Sequence, residues 1–279
     1  MNAIEIHKLQ KNYPGFALGP LDLCLPQGCI LGLIGENGAG KTTTIRMILD
    51  MLQRDGGSIR LLGRGDREEL LQSREEIGVV LDEVGFPECL TTRQVNNIMR
   101  LTYKNWDEAA YAGYLRRFDL PEKKPFKDFS QGMKRKLGIA VALSHAPKLL
   151  ILDEPTSGLD PVVRDEVISI FSEFTRDESH SILISSHIVS DLEKLCDYIA
   201  FLHQGKLLLC EEKDQLLSEY RILRCPAAEL AALPQAAIKG KKETPYGVSA
   251  IVRRDAVPAG ANTGPVSIEE LFVFMVKEA

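Results

Sequence analysis

Eight consecutive residues near the start of the chain combine glycines, a lysine and a threonine in the pattern G-x-x-x-x-G-K-[ST]. Because glycine has no Cβ, such a backbone can wrap phosphate oxygens closely and point successive N–H groups at them. Lys41 would reach the β- and γ-phosphates of a nucleotide, and the Thr42 hydroxyl would join a Mg²⁺ shell. The pattern predicts a nucleoside triphosphate site. Its candidate residues are Gly35, Glu36, Asn37, Gly38, Ala39, Gly40, Lys41, Thr42 and the following Thr43.

The residues on either side of this loop supply the strand and the helix that it requires. An apolar run at residues 30–34 predicts a buried parallel strand leading into the loop. Behind the loop, apolar residues from Ile45 to Leu52 recur at helical spacing, and Gly56 and Gly57 are expected to end that helix. The positive end of the helix dipole would strengthen anion binding at the loop.

A second group of candidate residues, Asp153 and Glu154, follows a fully apolar run at residues 149–152. An aspartate at the end of a buried strand can hold Mg²⁺, directly or through water. A glutamate beside it can face the γ-phosphate and act as general base toward the attacking water. Two adjacent carboxylates could also be a plain charge cluster, but the apolar strand before them and Pro155 and Thr156 after them favour catalysis.

Short apolar segments that alternate with helical ones predict an α/β fold. Residues 4–9, 17–25 and 59–62 have strand patterns, which predicts a small antiparallel β layer beside the phosphate loop. From residue 77 to 210 strand and helix patterns alternate, which predicts a mostly parallel sheet covered on both faces. Between about residues 83 and 146 we expect a helical subdomain whose aromatic residues form its core.

The composition changes after residue 212. A strand at residues 248–253 and a helix at residues 268–276 are predicted there, and the basic residues 239–242 are expected to form a solvated turn. We therefore predict a nucleotide-binding domain at residues 1–212 and a small α+β C-terminal accessory domain at residues 213–279, in which no chemistry is visible.

Length, charge and cysteine usage restrict the class of protein. A chain of 279 residues can form one large or two modest domains. The net charge of −5 argues against a general nucleic-acid binder, so no nucleic acid is expected as a partner. The six cysteines have no CxxC pair and indicate free thiols in a reducing compartment. Without a signal peptide or a membrane-length apolar run, we expect a cytoplasmic protein that reaches a membrane only through a partner.

The run at residues 153–160 resembles the segment that joins the Walker B strand to the D-loop in ATP-binding cassette (ABC) proteins. Other motifs of that family appear in the matching order, and the resemblance covers about residues 2–212. The family's adenine-stacking aromatic, its signature motif and its switch histidine correspond here to Tyr13, to Ser130 with Gly132, and to His187.

This resemblance implies a fold, a reaction and partners. The fold would be the parallel sheet of P-loop NTPases, and the cofactors would be ATP and Mg²⁺. Glu154 would activate water while His187 holds the γ-phosphate and Glu154 in register. Two ABC subunits, in a homodimer or in a heterodimer with another ABC ATPase, would face each other so that Lys41 of one meets Ser130 and Gly132 of the other. A transmembrane permease would turn the cycle into export at the inner face of the membrane.

Two departures from the family pattern affect the predicted site. Gln131 and Met133 replace a glycine and the final glutamine of the signature motif. Asp82 occupies the position of the usual Q-loop glutamine, a residue that normally relays to the membrane partner, and its carboxylate could join the Mg²⁺ shell. The basic residues 134–136 after the signature are expected to form the charged face of an exposed helix.

Residues 104–108, the Asp82 variant and the short appendage are similar to ATPase subunits of bacterial ABC-2 type exporters, of the bacitracin-export and GntR-regulator-linked kinds. One alternative is a soluble ABC ATPase acting on the ribosome or nucleic acid, which would carry a second cassette or long inserted heptads. Another is a P-loop kinase for small molecules, which would not need the signature residues or His187. The sequence therefore favours a transporter subunit and does not name its substrate.

Overall fold

The computed structural model describes residues 1–65, 67–244, 247–258 and 260–278. Its strands are β1 Asn2–Tyr13, β2 Phe16–Pro26, β3 Ile30–Gly35, β4 Gly56–Leu61, β5 Ile77–Val80, β6 Leu149–Asp153, β7 Ser181–Ser186, β8 Tyr198–His203, β9 Lys206–Glu212, β10 Tyr220–Cys225, β11 Ile238–Thr244, β12 Gly247–Arg253 and β13 Thr263–Gly264. Its helices are α1 Lys41–Ile48, α2 Arg67–Ser73, α3 Thr92–Thr102, α4 Glu108–Arg117, α5 Gln131–Leu143, α6 Pro161–Phe174, α7 Val189–Leu195, α8 Lys213–Glu219, α9 Ala227–Ala231 and α10 Ile268–Glu278.

The central sheet has the strand order β5-β6-β7-β3-β8-β9. The first five of these strands are parallel, and only β9 pairs with its neighbour β8 in the antiparallel sense. Strands β3, β6 and β7 are fully buried, as expected for parallel strands covered by helices on both faces. Because β6, β7 and β3 are neighbours, the segments that follow their carboxyl ends meet at one edge of the sheet.

The antiparallel layer predicted beside the phosphate loop is present as a sheet of order β2-β1-β4. Its buried residues share one apolar cluster with α1 and with one face of the central sheet. The β1–β2 hairpin reaches the loop itself: a Cβ on Gly40 would lie 2.4 Å from Leu18 Cδ1 and 3.4 Å from the Phe16 ring. The tip of this hairpin, with Tyr13, therefore lies beside the phosphate loop.

Helix α1 is shorter than the sequence pattern predicts. It ends at Ile48, where the Leu52 N–H turns back to the Arg46 carbonyl at 3.1 Å and Asp50 has a φ of +54°. The prediction of a helix reaching Gly56 was wrong. Leu52 packs against the core although the helical hydrogen bonding has already ended, so the apolar spacing continues beyond the end of the helix.

Helices α3, α4 and α5 lie between β5 and β6 in the chain and form the predicted helical subdomain. A capping box at Thr91 begins α3, and the Ser130 side chain caps α5 by accepting from the Met133 N–H. Tyr111 of α4 and Phe118 just after it are buried in the core, and the partly buried Tyr114 packs against them, as the spacing predicted.

The last part of the chain contains a further sheet, with the order β11-β12-β10-β13. Residues 239–242 belong to strand β11, so the prediction of a charged turn was wrong. Lys241 and Lys242 pair with Ala250 and Ser249 of β12. Exposed lysines are common on edge strands because they discourage pairing with another chain. A lysine-rich edge strand therefore has the same composition as a solvated turn, and the sequence pattern alone does not separate the two. The division into two domains at residue 212 stays a prediction.

Helix α10 packs its apolar side toward the central core, where the Phe272 and Phe201 rings lie 5.2 Å apart. None of the helices in the described ranges has both the length and the apolar composition needed to span a lipid bilayer.

Candidate functional site

The phosphate loop connects β3 to α1. Some of its positions require glycine because of their backbone conformation, and another because a backbone oxygen lies too close for a Cβ. Gly38 and Gly40 have φ values of +82° and +111°, which residues with a Cβ rarely adopt. A Cβ on Gly35 would lie 2.5 Å from the Leu202 carbonyl oxygen. Lys41 is 6% exposed and donates from Nζ to the Gly35 carbonyl at 2.7 Å. The loop is therefore a compact backbone cradle with its lysine folded over it.

A cavity of about 210 Å³ opens over this loop. Asp82 and Glu154, which are distant in sequence from the loop, reach it from the segments after β5 and β6. The lining residues are Glu36, Asn37, Gly38, Gly40, Lys41, Thr42, Thr43, Asp82 and Glu154. The fold thus brings most of the predicted nucleotide-binding residues and two of the predicted carboxylates to one cavity.

Asp153 ends strand β6 and is buried. Its Oδ1 accepts a 2.5 Å hydrogen bond from the Ser185 hydroxyl of β7. Its Oδ2 is buried and has no hydrogen-bond partner in the described structure. A buried carboxylate oxygen without a partner is unfavourable, and a hard cation bound to it would be such a partner. The chemistry of Asp153, and of Thr42 in the cavity lining, therefore fits Mg²⁺.

Glu154 follows in a left-handed backbone conformation, with a φ of +52°. Such values are uncommon outside glycine and cluster at functional sites. Its Oε2 accepts from the His187 Nδ1 at 2.7 Å and from the His187 N–H at 3.3 Å, and its Oε1 lies 3.5 Å from the Lys41 Nζ. The glutamate side chain is 12% exposed. The fold thus holds this carboxylate between the loop lysine and His187, at the cavity.

Ser130 and Gly132 lie at the start of α5 and outside the set of described residues that line the loop cavity. The Ser130 side chain is exposed, with its Oγ accepting from Met133 at 3.2 Å. Gly132 faces the segment after β6, where a Cβ on it would contact Leu159 Cδ2 at 3.5 Å. The signature residues are therefore near the strand-end segment, and the chain does not bring them onto its own phosphate loop.

Tyr13 lies at the tip of the β1–β2 hairpin and is 42% exposed. In the strand register it faces Phe16, which contacts the loop, and Lys11 Nζ lies 5.8 Å from the centre of its ring. Tyr13 is outside the set of described residues that line the loop cavity, and adenine stacking stays a prediction.

Arg135 contacts two of the predicted site residues, Asp82 and Glu154, and was not predicted to do so. We expected it on an exposed charged face, and this was wrong, because its side chain is only 10% exposed. Its Nη2 donates to the Asp82 carboxylate at 2.9 Å, and its Nη1 donates to the Glu154 carbonyl. Helical spacing offered a signal, since the buried Gly138 and Ile139 follow it by three and four residues on the same face.

Two further residues, Ser185 and His203, contact the predicted site residues and were not predicted. Ser185 holds Asp153 through its hydroxyl, and it accepts from the Glu154 N–H through its carbonyl at 3.1 Å. His203, at the end of β8, lies 3.4 Å from a Glu36 carboxylate oxygen. Neither residue stands in a local motif, so no sequence pattern singles it out.

Comparison with known proteins gives a consistent family. A family model described as ABC transporter matches residues 18–157. The bacitracin transport ATP-binding protein BcrA of Enterococcus faecalis is 36% identical over 208 residues, which are 74% of this chain and 68% of that protein. The lantibiotic transport ATP-binding protein SrtF of Streptococcus pyogenes is 36% identical over 214 residues, which are 76% of this chain and 91% of that protein.

Solved structures support the same family. The structure of an ATP binding subunit of an ABC transporter has a TM-score of 0.70 and 28% identity, covering 77% of this chain and 91% of that one. A dimeric ATP-binding cassette bound to ADP and Pi shares the fold at 18% identity, with a TM-score of 0.67 over 75% of this chain and 98% of that one. Since the family match includes the phosphate loop, Asp153 and Glu154, the chain belongs to the ABC transporter family as an ATP-binding ATPase subunit.

Proposed function

We propose that this chain hydrolyses ATP to drive export through a separate transmembrane permease. The observation that carries the proposal is the meeting of three features at one edge of the central sheet, where β3 and β6 end. These are the phosphate loop with Lys41, the unpartnered Oδ2 of Asp153, and Glu154 held between Lys41 and His187. Phosphoryl transfer needs positioning and charge stabilisation, and these features provide both.

Each residue of this group has a role in the proposal. The loop N–H groups and Lys41 bind the phosphates, with Thr42 and Asp153 as the residues that would hold Mg²⁺. A bound Mg²⁺ would neutralise charge on the phosphate oxygens. Glu154 takes the proton of the attacking water, and His187 fixes the orientation of its carboxylate through the 2.7 Å hydrogen bond. When phosphates replace Glu154 as the partner of Lys41, the Oε1 of Glu154 becomes available to water.

We propose that the complete site needs two subunits. Ser130 and Gly132 stand at the N-terminus of the 13-residue helix α5, whose N–H groups and dipole suit a phosphate. Since they lie outside the cavity of their own chain, the nucleotide they would contact is that of a second subunit, either another copy or a related ABC ATPase.

The proposed partner and location follow from the relatives. Two of them are named as ATP-binding proteins for bacitracin and lantibiotic transport. A subunit of that kind needs a membrane partner, and it would work on the cytoplasmic face, where ATP is available. The relatives' transport names give no support to the alternative of a ribosome or nucleic acid as target.

Complementation tests the composite site. Lys41→Ala disables a chain's own phosphate loop, and Ser130→Arg puts a bulky cation where the other chain's γ-phosphate would bind. Each homodimer should be nearly inactive because both of its sites carry the defect. In a mixture, the heterodimers have one site with both lesions and one with none, so ATPase activity should reappear.

The control for this experiment is ATP-dependent association, measured by size-exclusion chromatography in the same mixture. Recovered activity together with association supports two-chain sites. Full activity of Ser130→Arg alone, without ATP-dependent association, would refute the proposal that Ser130 serves a second subunit. Copurification of a protein with several membrane spans would test the permease.

A further inference from the structure

We infer that Arg135 is a positioning residue for the general base, and that the Asp82 carboxylate serves to hold Arg135 instead of joining the Mg²⁺ shell. This inference rests on the proposed role of Glu154 as the base. It assigns a task to two residues whose sequence patterns predicted other roles: Asp82 as a metal ligand and Arg135 as an exposed charge.

The Arg135 guanidinium joins three segments that are far apart in the chain. It projects from α5 of the helical subdomain, donates from Nη1 to the carbonyl of Glu154 after β6, and donates from Nη2 to Asp82 after β5. The Asp82 carboxylate accepts at 2.9 Å and the Asp82 carbonyl at 3.2 Å. A planar guanidinium can serve these acceptors together, which a single ammonium cannot.

The contact with Glu154 bears on the orientation of the base. The φ of +52° at Glu154 is unfavourable for a residue with a Cβ, so neighbouring contacts must maintain it. On one side its N–H is held by the Ser185 carbonyl and hydroxyl at 3.1 and 3.2 Å. On the other side its carbonyl is held by Arg135. Because both adjoining peptide groups are fixed, the direction in which the carboxylate leaves the backbone is fixed as well.

The Asp82 carboxylate supplies the countercharge that Arg135 requires. A guanidinium that is only 10% exposed is unfavourable without a hydrogen-bonded anion, whereas the 60% exposed Asp82 remains well solvated. A glutamine, the usual residue at this position in the family that the chain resembles, would bring no charge. The acidic residue is therefore explained by the buried cation beside it.

Packing around the pair supports a lasting contact. One turn beyond Arg135, a Cβ on Gly138 would lie only 3.1 Å from Val84 Cγ2, so glycine lets the segment after Asp82 lie directly on α5. The same helix begins at Ser130. The placement of the signature residue and the orientation of Glu154 therefore depend on one helix.

A double-mutant cycle tests the inference. Asp82→Asn removes the countercharge, and Arg135→Met keeps the bulk of the arginine without its charge or donors. We expect each to lower kcat, by about tenfold for Arg135→Met, because a small misorientation of a catalytic group is enough for such a loss. The KM for ATP and the Mg²⁺ concentration for half-maximal rate should not change. The double variant should be no slower than Arg135→Met, because both changes break one linkage.

The matched control is Arg117→Met. Arg117 also joins the helical subdomain to the rest of the chain, through Glu166 and Glu173 on α6 at 3.3 and 3.2 Å, but it is not among the residues that line the cavity in the described structure. Its turnover should equal that of the unmodified protein. This control separates the effect on Glu154 from the loss of any arginine between the two parts.

Several results would overturn the inference. One is a rise in the Mg²⁺ requirement of Asp82→Asn that persists in the Arg135→Met background, since it would make Asp82 a metal ligand. Another is a double variant whose kcat falls by the product of the single effects. If Arg135→Met does not fold, Arg135→Lys, which lacks the planar fork, must still lower kcat at unchanged KM. Turnover of Arg135→Lys equal to that of the unmodified protein would refute the positioning role of Arg135. Glu154→Gln is assayed in parallel, because high turnover there would reject the base itself.

Discussion

Replacing Glu154 with glutamine isolates the proton-accepting role of the base. The two side chains have almost the same shape, and an amide oxygen can still accept the hydrogen bonds that His187 now gives to Oε2 at 2.7 and 3.3 Å. The amide cannot take a proton from water. The substitution thus changes the chemistry of the site with little change in its packing.

General-base chemistry sets the size of the expected loss of turnover, and the contacts of Lys41 set the direction of the effect on ATP binding. Loss of a general base lowers turnover by about 10²–10⁴-fold, or roughly 3–5 kcal/mol of barrier. Lys41 loses its ion pair with Glu154 at 3.5 Å but keeps the carbonyls of Gly35 and Glu36 at 2.7 and 3.4 Å. Because no carboxylate then competes with the phosphates for Lys41, ATP binding should be unchanged or tighter.

The assay is steady-state ATP hydrolysis, combined with nucleotide titration and a thermal melt of the same preparation. We expect kcat to fall at least 100-fold, with KM unchanged or lower and an ATP-stabilised dimer accumulating. Near-normal turnover would remove Glu154 from the role of base. A parallel loss of ATP affinity or of melting temperature would show that the substitution damages the loop instead.

Three other substitutions test the nucleotide contact and the fold. Tyr13→Ala should weaken ATP binding by about 1–3 kcal/mol while Tyr13→Phe restores it in a nucleotide titration, and no recovery with Phe would refute stacking. Gly35→Ala should lower the free energy of unfolding by about 1–3 kcal/mol, since its Cβ would lie 2.5 Å from a backbone oxygen. The control Gly113→Ala, in an open position of α4, should raise the free energy of unfolding by up to about 1 kcal/mol. Both are measured by denaturant titration, and equal effects would contradict the clash. A hydrogen bond from Lys148 lowers the pKa of Glu76 from its ordinary 4.5, so Glu76 stabilises the fold above that pH and loses this effect as the pH falls through its lowered value. The melting temperature of Glu76→Gln should therefore be reduced at neutral pH and approach that of the unmodified protein in acid, and a pH-independent difference would refute this.

The sequence alone determined the parts of the site that are contiguous in the chain. The strand, glycine loop and helix around Lys41 follow from local hydrophobic spacing and from the backbone freedom of glycine. The positions of Asp153 and Glu154 at a strand end follow from the apolar run before them. Where local spacing and tertiary packing disagreed, as in α1 after Ile48, the spacing alone gave the wrong boundary.

Only the tertiary structure decided which distant residues meet. Asp82 and Arg135 are 53 residues apart, and Asp153 and Ser185 are 32 apart. Their contacts depend on β6 lying between β5 and β7 and on α5 packing across the segment after β5, and neither follows from a local pattern. A lysine-rich edge strand and a buried arginine both look like exposed charge in the sequence. Their real states are set by the hydrogen-bond partners that the fold places beside them, and for Arg135 those partners are Asp82 and the backbone of Glu154.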